Sequence, residues 1–326
     1  MTVYNGELYL GEAIDSILSQ TFGDFEFIIV NDGSTDATSK ILDSYTDKRI
    51  RRVDNTENMK LVYSLNRGLS LCNGKYIVRM DADDIALPER LQVQFDFMES
   101  CPEVGICGSY VKSFCEETKK TKLLVFPTDD SWIRAFAFFQ SPFIHPSVIL
   151  RREILINNNL SYPNYYRAED YALWTEMLKY TKGANIPHVL LDYRKHKASE
   201  SALGEKQKTI MNETIGKIEA EYIADYGFYF DSEELLVYAQ FVNRSIRYNP
   251  TARNQRVVTD ILQRLLEHLK KRNKSFSKKV KRYLSEICFY RFFIYRKFPV
   301  TLFLLNLYIR GALVYSEKML KRKTNE

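Results

Sequence analysis

An α/β fold, with a mixed, mainly parallel sheet flanked by helices and followed by an α-helical C-terminal region, is what this sequence predicts. Three observations carry the prediction. Up to about residue 125, short β-rich runs alternate with helical segments, the pattern of βα units. The clearest strand, Phe25-Glu-Phe-Ile-Ile-Val30, runs directly into the turn-forming Asn31-Asp32-Gly33-Ser34-Thr35-Asp36. After residue 206 the strand signals cease and four helices are expected, which divides the chain into a domain over 1–205 and a helical region over 206–326.

The elements follow in order. Only Met1, Thr2 and Val3 are available for a first strand before Tyr4-Asn5-Gly6, so either that strand is a stub or the native chain starts upstream of Met1. Ser34 or Thr35 is placed to cap a helix running to about Tyr45. Arg51-Arg52-Val53 reads as a brief strand. Leu61, Leu65, Leu69 and Cys72 then recur at helical spacing until Gly74 breaks the helix. Tyr76-Ile77-Val78 begins a strand ending at Asp81, and after the helix-opening stretch Ile85-Ala-Leu-Pro88-Glu89-Arg90 a helix spans about Pro88 to Glu99. Between 103 and 150, strand-like Val104–Val111 and Leu123–Phe126 surround a helix near Trp132–Phe139, which suits a mixed sheet extension walling one side of a cleft. Glu169–Tyr180 is helical, Ile186–Tyr193 is a strand, and the small, polar residues 197–205 read as a mobile loop.

The chemistry concentrates at Met80-Asp81-Ala82-Asp83-Asp84. Three carboxylates at a strand end repel one another unless a positive charge sits among them. Backbone alternation sends Asp81 and Asp83 to one side, and a hard divalent ion takes oxygen ligands while bridging to phosphates. A metal-diphosphate site is the reading, against the plainer alternative of a solvated acidic turn near a helix N-terminus.

Taken together, Thr2-Val3-Tyr4-Asn5-Gly6, Asn31-Asp32-Gly33-Ser34-Thr35-Asp36 and Asp81-Ala82-Asp83-Asp84 closely resemble the family 2, GT-A-fold glycosyltransferases. The likeness continues through Pro88-Glu-Arg-Leu, His145-Pro146-Ser147-Val148, Ala168-Glu169-Asp170-Tyr171-Ala172-Leu173-Trp174 and Tyr193-Arg194-Lys195-His196, so it covers residues 1 to about 200. The resemblance implies an inverting, metal-dependent transfer from a UDP-sugar to a saccharide or lipid-linked acceptor, in assembly of a surface polysaccharide or glycolipid. It implies that Tyr4 stacks on the uracil and Asp32 accepts from its N3–H. Asp81 is placed near the ribose, Asp83 as a ligand of Mn²⁺ or Mg²⁺, and Asp170, with Glu169 beside it, as the base that takes the acceptor's proton. His196 is implied as a metal or diphosphate contact and Arg194 as further charge on the diphosphate. His145, held extended by Pro146, is the acceptor-side candidate at a strand entrance.

Composition and charge set the remaining bounds. The net charge of +6 hides a division: from Lys270 onward there are sixteen Lys or Arg against three acidic residues, so the tail carries +13 and residues 1–269 carry −7. A basic tail beside an acidic body suggests an anionic partner. No zinc-finger spacing, RNP-type motif or helix-turn-helix pattern accompanies the charge, so no nucleic acid is expected. Aromatic blocks such as Phe292-Phe-Ile-Tyr295 and Phe298–Ile309, flanked by Lys and Arg, fit a helical hairpin lying in the headgroup region of an anionic leaflet. The apolar stripe Val257, Ile261, Leu262, Leu265, Leu266 and Leu269 instead suits packing on a neighbouring helix. Five cysteines without CxxC spacing read as reduced thiols, no signal peptide opens the chain, and no apolar run is long enough to span a bilayer. The expected location is cytoplasmic, peripheral at the inner face of the cytoplasmic membrane. Two rivals are weighed: a sugar-nucleotide pyrophosphorylase, for which the Gly-rich phosphate loop is missing, and a non-catalytic, membrane-associated partner that keeps the fold without turnover.

Overall fold

The structure is a computed structural model that describes residues 1–196, 205–243, 251–294 and 301–323. The chain forms two units: Met1–Ile133 with Ser141–Leu203, and Arg134–Gln140 with Gly204–Glu326. The short segment 134–140 therefore belongs with the C-terminal helices and not with the residues on either side of it.

In the first unit, β1 (Thr2–Val3), α1 (Leu10–Leu18), β2 (Phe27–Asn31), α2 (Thr38–Asp43), β3 (Ile50–Asp54) and α3 (Leu61–Leu71) come in alternation. The strands form a wholly parallel sheet in the order β1-β2-β3. All five β2 residues are buried, as a strand covered on both faces requires. Leu10, Ile14 and Ile17 of α1 recur on one face and enter a core with Val3, Phe27, Ile29, Leu42 and Met80. β1 has two residues and lies at the end of this sheet: it pairs with β2 on one side, and Thr2 makes an isolated parallel bridge to Asp81 on the other. That bridge ties the acidic turn to the parallel sheet.

The rest of the unit comprises β4 (Tyr76–Val78), β5 (Ile85–Ala86), α4 (Arg90–Ser100), β6 (Val104–Phe114), β7 (Thr121–Leu124), α5 (Asp130–Phe136, which runs on into the second unit), β8 (Ile149–Arg151), α6 (Arg152–Asn157), α7 (Glu169–Tyr180) and β9 (Lys182–Arg194). The second sheet runs β4-β8-β6-β9-β5, with β7 on β6. Its longest ladder, β6 with β9, is parallel, while the short pairings are antiparallel.

Three local readings change. Ile85-Ala86 does not open a helix: it forms β5 against Asp192 and Leu191 of β9, and α4 begins only at Arg90. No Ser or Thr side chain caps α2; the Asp36 carboxylate does the tying, accepting from the N–H of Thr38 and of Glu7, each at 3.0 Å. His145 lies not in extended backbone but in a short 3₁₀ turn, His145–Ser147, leading into β8, and it is Ile144 that is extended. Gly33 has φ +67, and a Cβ there would sit 2.4 Å from the Glu57 carbonyl carbon, so this turn after β2 admits only glycine.

Among the described residues the second unit contains α8 (Glu205–Asp225), α9 (Ser232–Val242), α10 (Ala252–Arg272), α11 (Lys274–Ile294) and α12 (Leu302–Lys323), five helices where four were expected. Ile261, Leu262, Leu265, Leu266 and Leu269 of α10 are buried as their spacing requires, with Val258 taking the deep position in place of Val257. α11 and α12 form an antiparallel hairpin in which Cys288 faces Leu304 and Gly311 faces Ser285; a Cβ on Gly311 would meet the Ser285 carbonyl oxygen at 2.1 Å. Arg291, 1% exposed, caps the C-terminus of α9 by donating to the carbonyls of Phe241 and Gln240 at 2.6 and 2.7 Å and to that of Asn243. Residues 197–204, nearly all of the segment read as a mobile loop, and residues 295–300 of the aromatic blocks lie outside the described residues.

Glu219 of α8 is fully buried, and neither carboxyl oxygen has a hydrogen-bond partner among the described residues. Burial pushes its carboxyl well above the usual range. A carboxyl raised in the folded state contributes most stability below its unfolded pKa and loses it as pH rises. Glu219→Met, which removes the unmet oxygens, should stabilise the chain by about 1–3 kcal/mol. The gain in Tm should be larger at pH 8 than at pH 5, as thermal unfolding at the two pH values would show.

Candidate active site

The short β4 and the Thr2 bridge deliver Arg79 to Asp84 to the edge of the parallel sheet. One carboxylate oxygen from each of Asp81, Asp83 and Asp84 lies within 4.8 Å of the others. Asp84 is buried; it accepts from the Arg194 N–H at 2.8 Å, and its other oxygen has no partner among the described residues. Burial, then the charges of Asp81 and Asp83, push Asp84 up to about 9. Asp83 is raised for the same reasons and is partly relieved by His196, whose Nε2 lies 3.0 Å from Asp83 Oδ2. Asp81 is ion-paired with Arg79 at 2.5 Å. Crowded hard oxygens, an orphaned buried carboxyl oxygen and an imidazole nitrogen form a donor set that fits a divalent ion, whose charge would reverse the upward shifts.

Two of the residues singled out in the sequence sit together at the end of β9. His196 packs tilted against Tyr9, ring centroids 4.8 Å apart, and reaches Asp83. Arg194 is 2% exposed; its Nε donates to the Asp83 carbonyl at 2.8 Å, and its guanidinium lies between the rings of Tyr9 and Phe114 and against the carboxylates of Glu12 and Glu116. With its donors engaged in this way, Arg194 clamps the acidic turn to β9.

At the other side of β1, Tyr4 is 48% exposed on the loop that follows the stub. Asp32 is buried, and its Oδ1 accepts from Asn55 Nδ2 at 2.6 Å and from the Met59 N–H at 2.8 Å, leaving Oδ2 without a partner among the described residues. Asn55 in turn donates to Ser64 and accepts from Arg67, so Asp32 is fixed by a buried polar network that the sequence did not announce.

Glu169 and Asp170 occupy the first turn of α7. Asp170 Oδ1 accepts from the Tyr171 N–H at 2.7 Å, and burial raises its carboxyl to about 6. Glu169, deeper, is raised to about 7 by burial and by the Asp170 charge. The charges of Arg79 and Asp81 bear on both, so these two carboxyls and the acidic turn share one electrostatic field. His145 Nε2 pairs with the Tyr162 hydroxyl at 2.9 Å, and both rings pack edge-on against the buried Trp174. Burial holds His145 neutral. Arg79 was the missed residue: a cation closing the apolar run two positions before Asp81, on the same side by alternation, was its signal.

This constellation on this sheet has a family. The chain belongs to glycosyl transferase family 2, whose sequence profile matches residues 1–158. An uncharacterized glycosyltransferase of Haemophilus influenzae is 35% identical over 68% of this chain and 72% of its own. The Escherichia coli UDP-Gal:alpha-D-GlcNAc-diphosphoundecaprenol beta-1,3-galactosyltransferase is 30% identical over 82% of this chain and 96% of its own. S. aureus TarS, solved in complex with UDP-GlcNAc, superposes with a TM-score of 0.56 over 97% of this chain and 90% of its own, at 17% identity. That last likeness shows the fold, GT-A with a helical C-terminal region. The chain is thus a glycosyltransferase.

Proposed function

We propose that the protein transfers a sugar, with inversion, from a UDP-sugar to a saccharide or lipid-linked acceptor in surface polysaccharide or glycolipid assembly. The observation that carries this reading is the Asp83–His196 pair set among the carboxylates of Asp81 and Asp84, in one field with Asp170. Tyr4 stacks on the uracil, and Asp32 Oδ2 accepts from N3–H. Asp81 lies near the ribose. Asp83, with His196, would hold Mn²⁺ or Mg²⁺, which when bound would neutralise charge on the diphosphate. Asp170 takes the proton of the acceptor hydroxyl, whose oxygen bonds to C1 on the face opposite the nucleotide. The C1–O bond to the β-phosphate breaks, and its electron pair leaves with UDP. Glu169 stands beside Asp170 in the first turn of α7. His145, bonded to Tyr162 and neutral, shapes the acceptor side. The relative whose name carries a UDP-Gal donor and a diphosphoundecaprenol acceptor supports both the donor class and a lipid-linked acceptor. Screening UDP-sugars for UDP release, then reading the product's anomeric configuration by NMR, tests the proposal; retention of configuration, or no UDP release from any UDP-sugar, contradicts it.

The basic tail adds a location to this reading: the inner face of the cytoplasmic membrane, where a lipid-linked acceptor would be met. No helix among the described residues is long and apolar enough to cross a membrane. Ile309 and Leu313 of α12 are 51% and 60% exposed beside the exposed Arg310, an apolar-basic face suited to anionic headgroups. With roughly 1 kcal/mol of attraction per basic residue near an anionic leaflet, the chain should co-sediment with phosphatidylglycerol vesicles at low salt and detach at high salt. A chain that stays in the supernatant at low salt has no such surface.

A further inference from the structure

Arg79 is locked by its backbone: its N–H donates to the Val148 carbonyl at 3.1 Å, and its own carbonyl accepts from the buried Arg90 at 2.7 Å. Its side chain is 8% exposed. Nη2 lies 2.5 Å from Asp81 Oδ1, while Nε and Nη1 have no partner among the described residues. A buried guanidinium ordinarily has its donors satisfied. This one is committed to a single carboxylate, and its charge also favours the ionised forms of Asp83, Asp84, Glu169 and Asp170.

The three carboxylates of the turn are close enough to wrap one ion together. Such a cage would bind the ion tightly by itself and leave few positions for a diphosphate, whereas ions that serve phosphate chemistry usually keep one or two carboxylates and take the rest of their shell from substrate and water. Resting on the metal-diphosphate reading above, we propose that Arg79 is a positioning residue that holds Asp81 off the divalent ion. Asp83 with His196 remains the metal-facing pair, and Asp81, fixed by Arg79 and by the Thr2 bridge, stays available to the nucleotide sugar. The ion is then held weakly until the donor arrives.

The test is a titration of the full chain with Mn²⁺ alone, the free ion being read by electron paramagnetic resonance. Arg79→Gln should bind Mn²⁺ about tenfold more tightly than wild type, because a cation is removed and a carboxylate released at short range. Arg79→Lys, which keeps the charge, should stay near wild type. Asp81→Asn alone should leave Mn²⁺ affinity within about threefold of wild type, and added to Arg79→Gln it should cancel the gain, the non-additivity expected of two residues in contact. A merely structural arginine would give weaker Mn²⁺ binding on removal. Equal or weaker binding by Arg79→Gln overturns the inference, as does a large loss in Asp81→Asn, an arm that decides the matter even if Arg79→Gln fails to fold. A wild type that binds no Mn²⁺ overturns this inference together with the metal reading, whereas wild-type binding with the wrong variant pattern overturns this inference only.

Discussion

Asp170→Asn should lower kcat by roughly 10²–10⁴ while leaving donor affinity nearly unchanged, because it removes a proton acceptor used only as the acceptor attacks. The carboxylate sits in the first turn of α7, with one oxygen held by the Tyr171 N–H. Burial raises its pKa to about 6, so the ionised base is lost as pH falls through that value. Wild-type kcat should therefore show an acid limb near pH 6, which is absent from the residual activity of Asp170→Asn. The sign for stability is opposite: a carboxyl whose pKa is raised by folding contributes most stability below its unfolded pKa, and that contribution disappears as pH rises toward 6. Catalysis thus improves over the same pH range in which this residue begins to cost stability. UDP binding lost with kcat retained would place Asp170 in the donor site instead.

Asp83→Asn should cut turnover by at least about a hundredfold, the several kcal/mol expected from an ion that stabilises a departing diphosphate. The substitution keeps the shape of the side chain and its contact with His196 Nε2 while removing the charge. The fold should survive, since the clamp on this turn runs through Asp84, Arg194 and the Asp83 backbone carbonyl. Normal turnover in this variant, or full wild-type turnover in EDTA, would contradict the assignment.

Much of this site was legible in the sequence because its parts are local. The β2 run and the turn after it, the acidic turn at 81–84 and the helix opening on Glu169-Asp170 all carry their signal within about ten residues. What was not legible depends on distant partners. Ile85-Ala86 is too short to announce a strand, and becomes one only because β9, more than a hundred residues later, lies beside it. The Asp36 carboxylate takes over the tying of α2 because the Glu7 loop comes within its reach. Arg194 read as a charge for the diphosphate, and only the folded chain shows Glu12 and Glu116 closing on it. The aromatic blocks of the tail read as a hairpin at the headgroups, and the fold adds that Val280, Leu284, Ile287 and Cys288 are buried, so part of the tail's apolar surface is spent on packing.

Calorimetric titration of the wild-type chain with UDP, in Mn²⁺ and again in EDTA, tests the metal-diphosphate site most directly. If Asp83 and His196 hold an ion that meets the diphosphate, UDP affinity should rise at least about tenfold with Mn²⁺, since a divalent charge is added beside the phosphates. Equal UDP affinity in Mn²⁺ and EDTA would contradict the account.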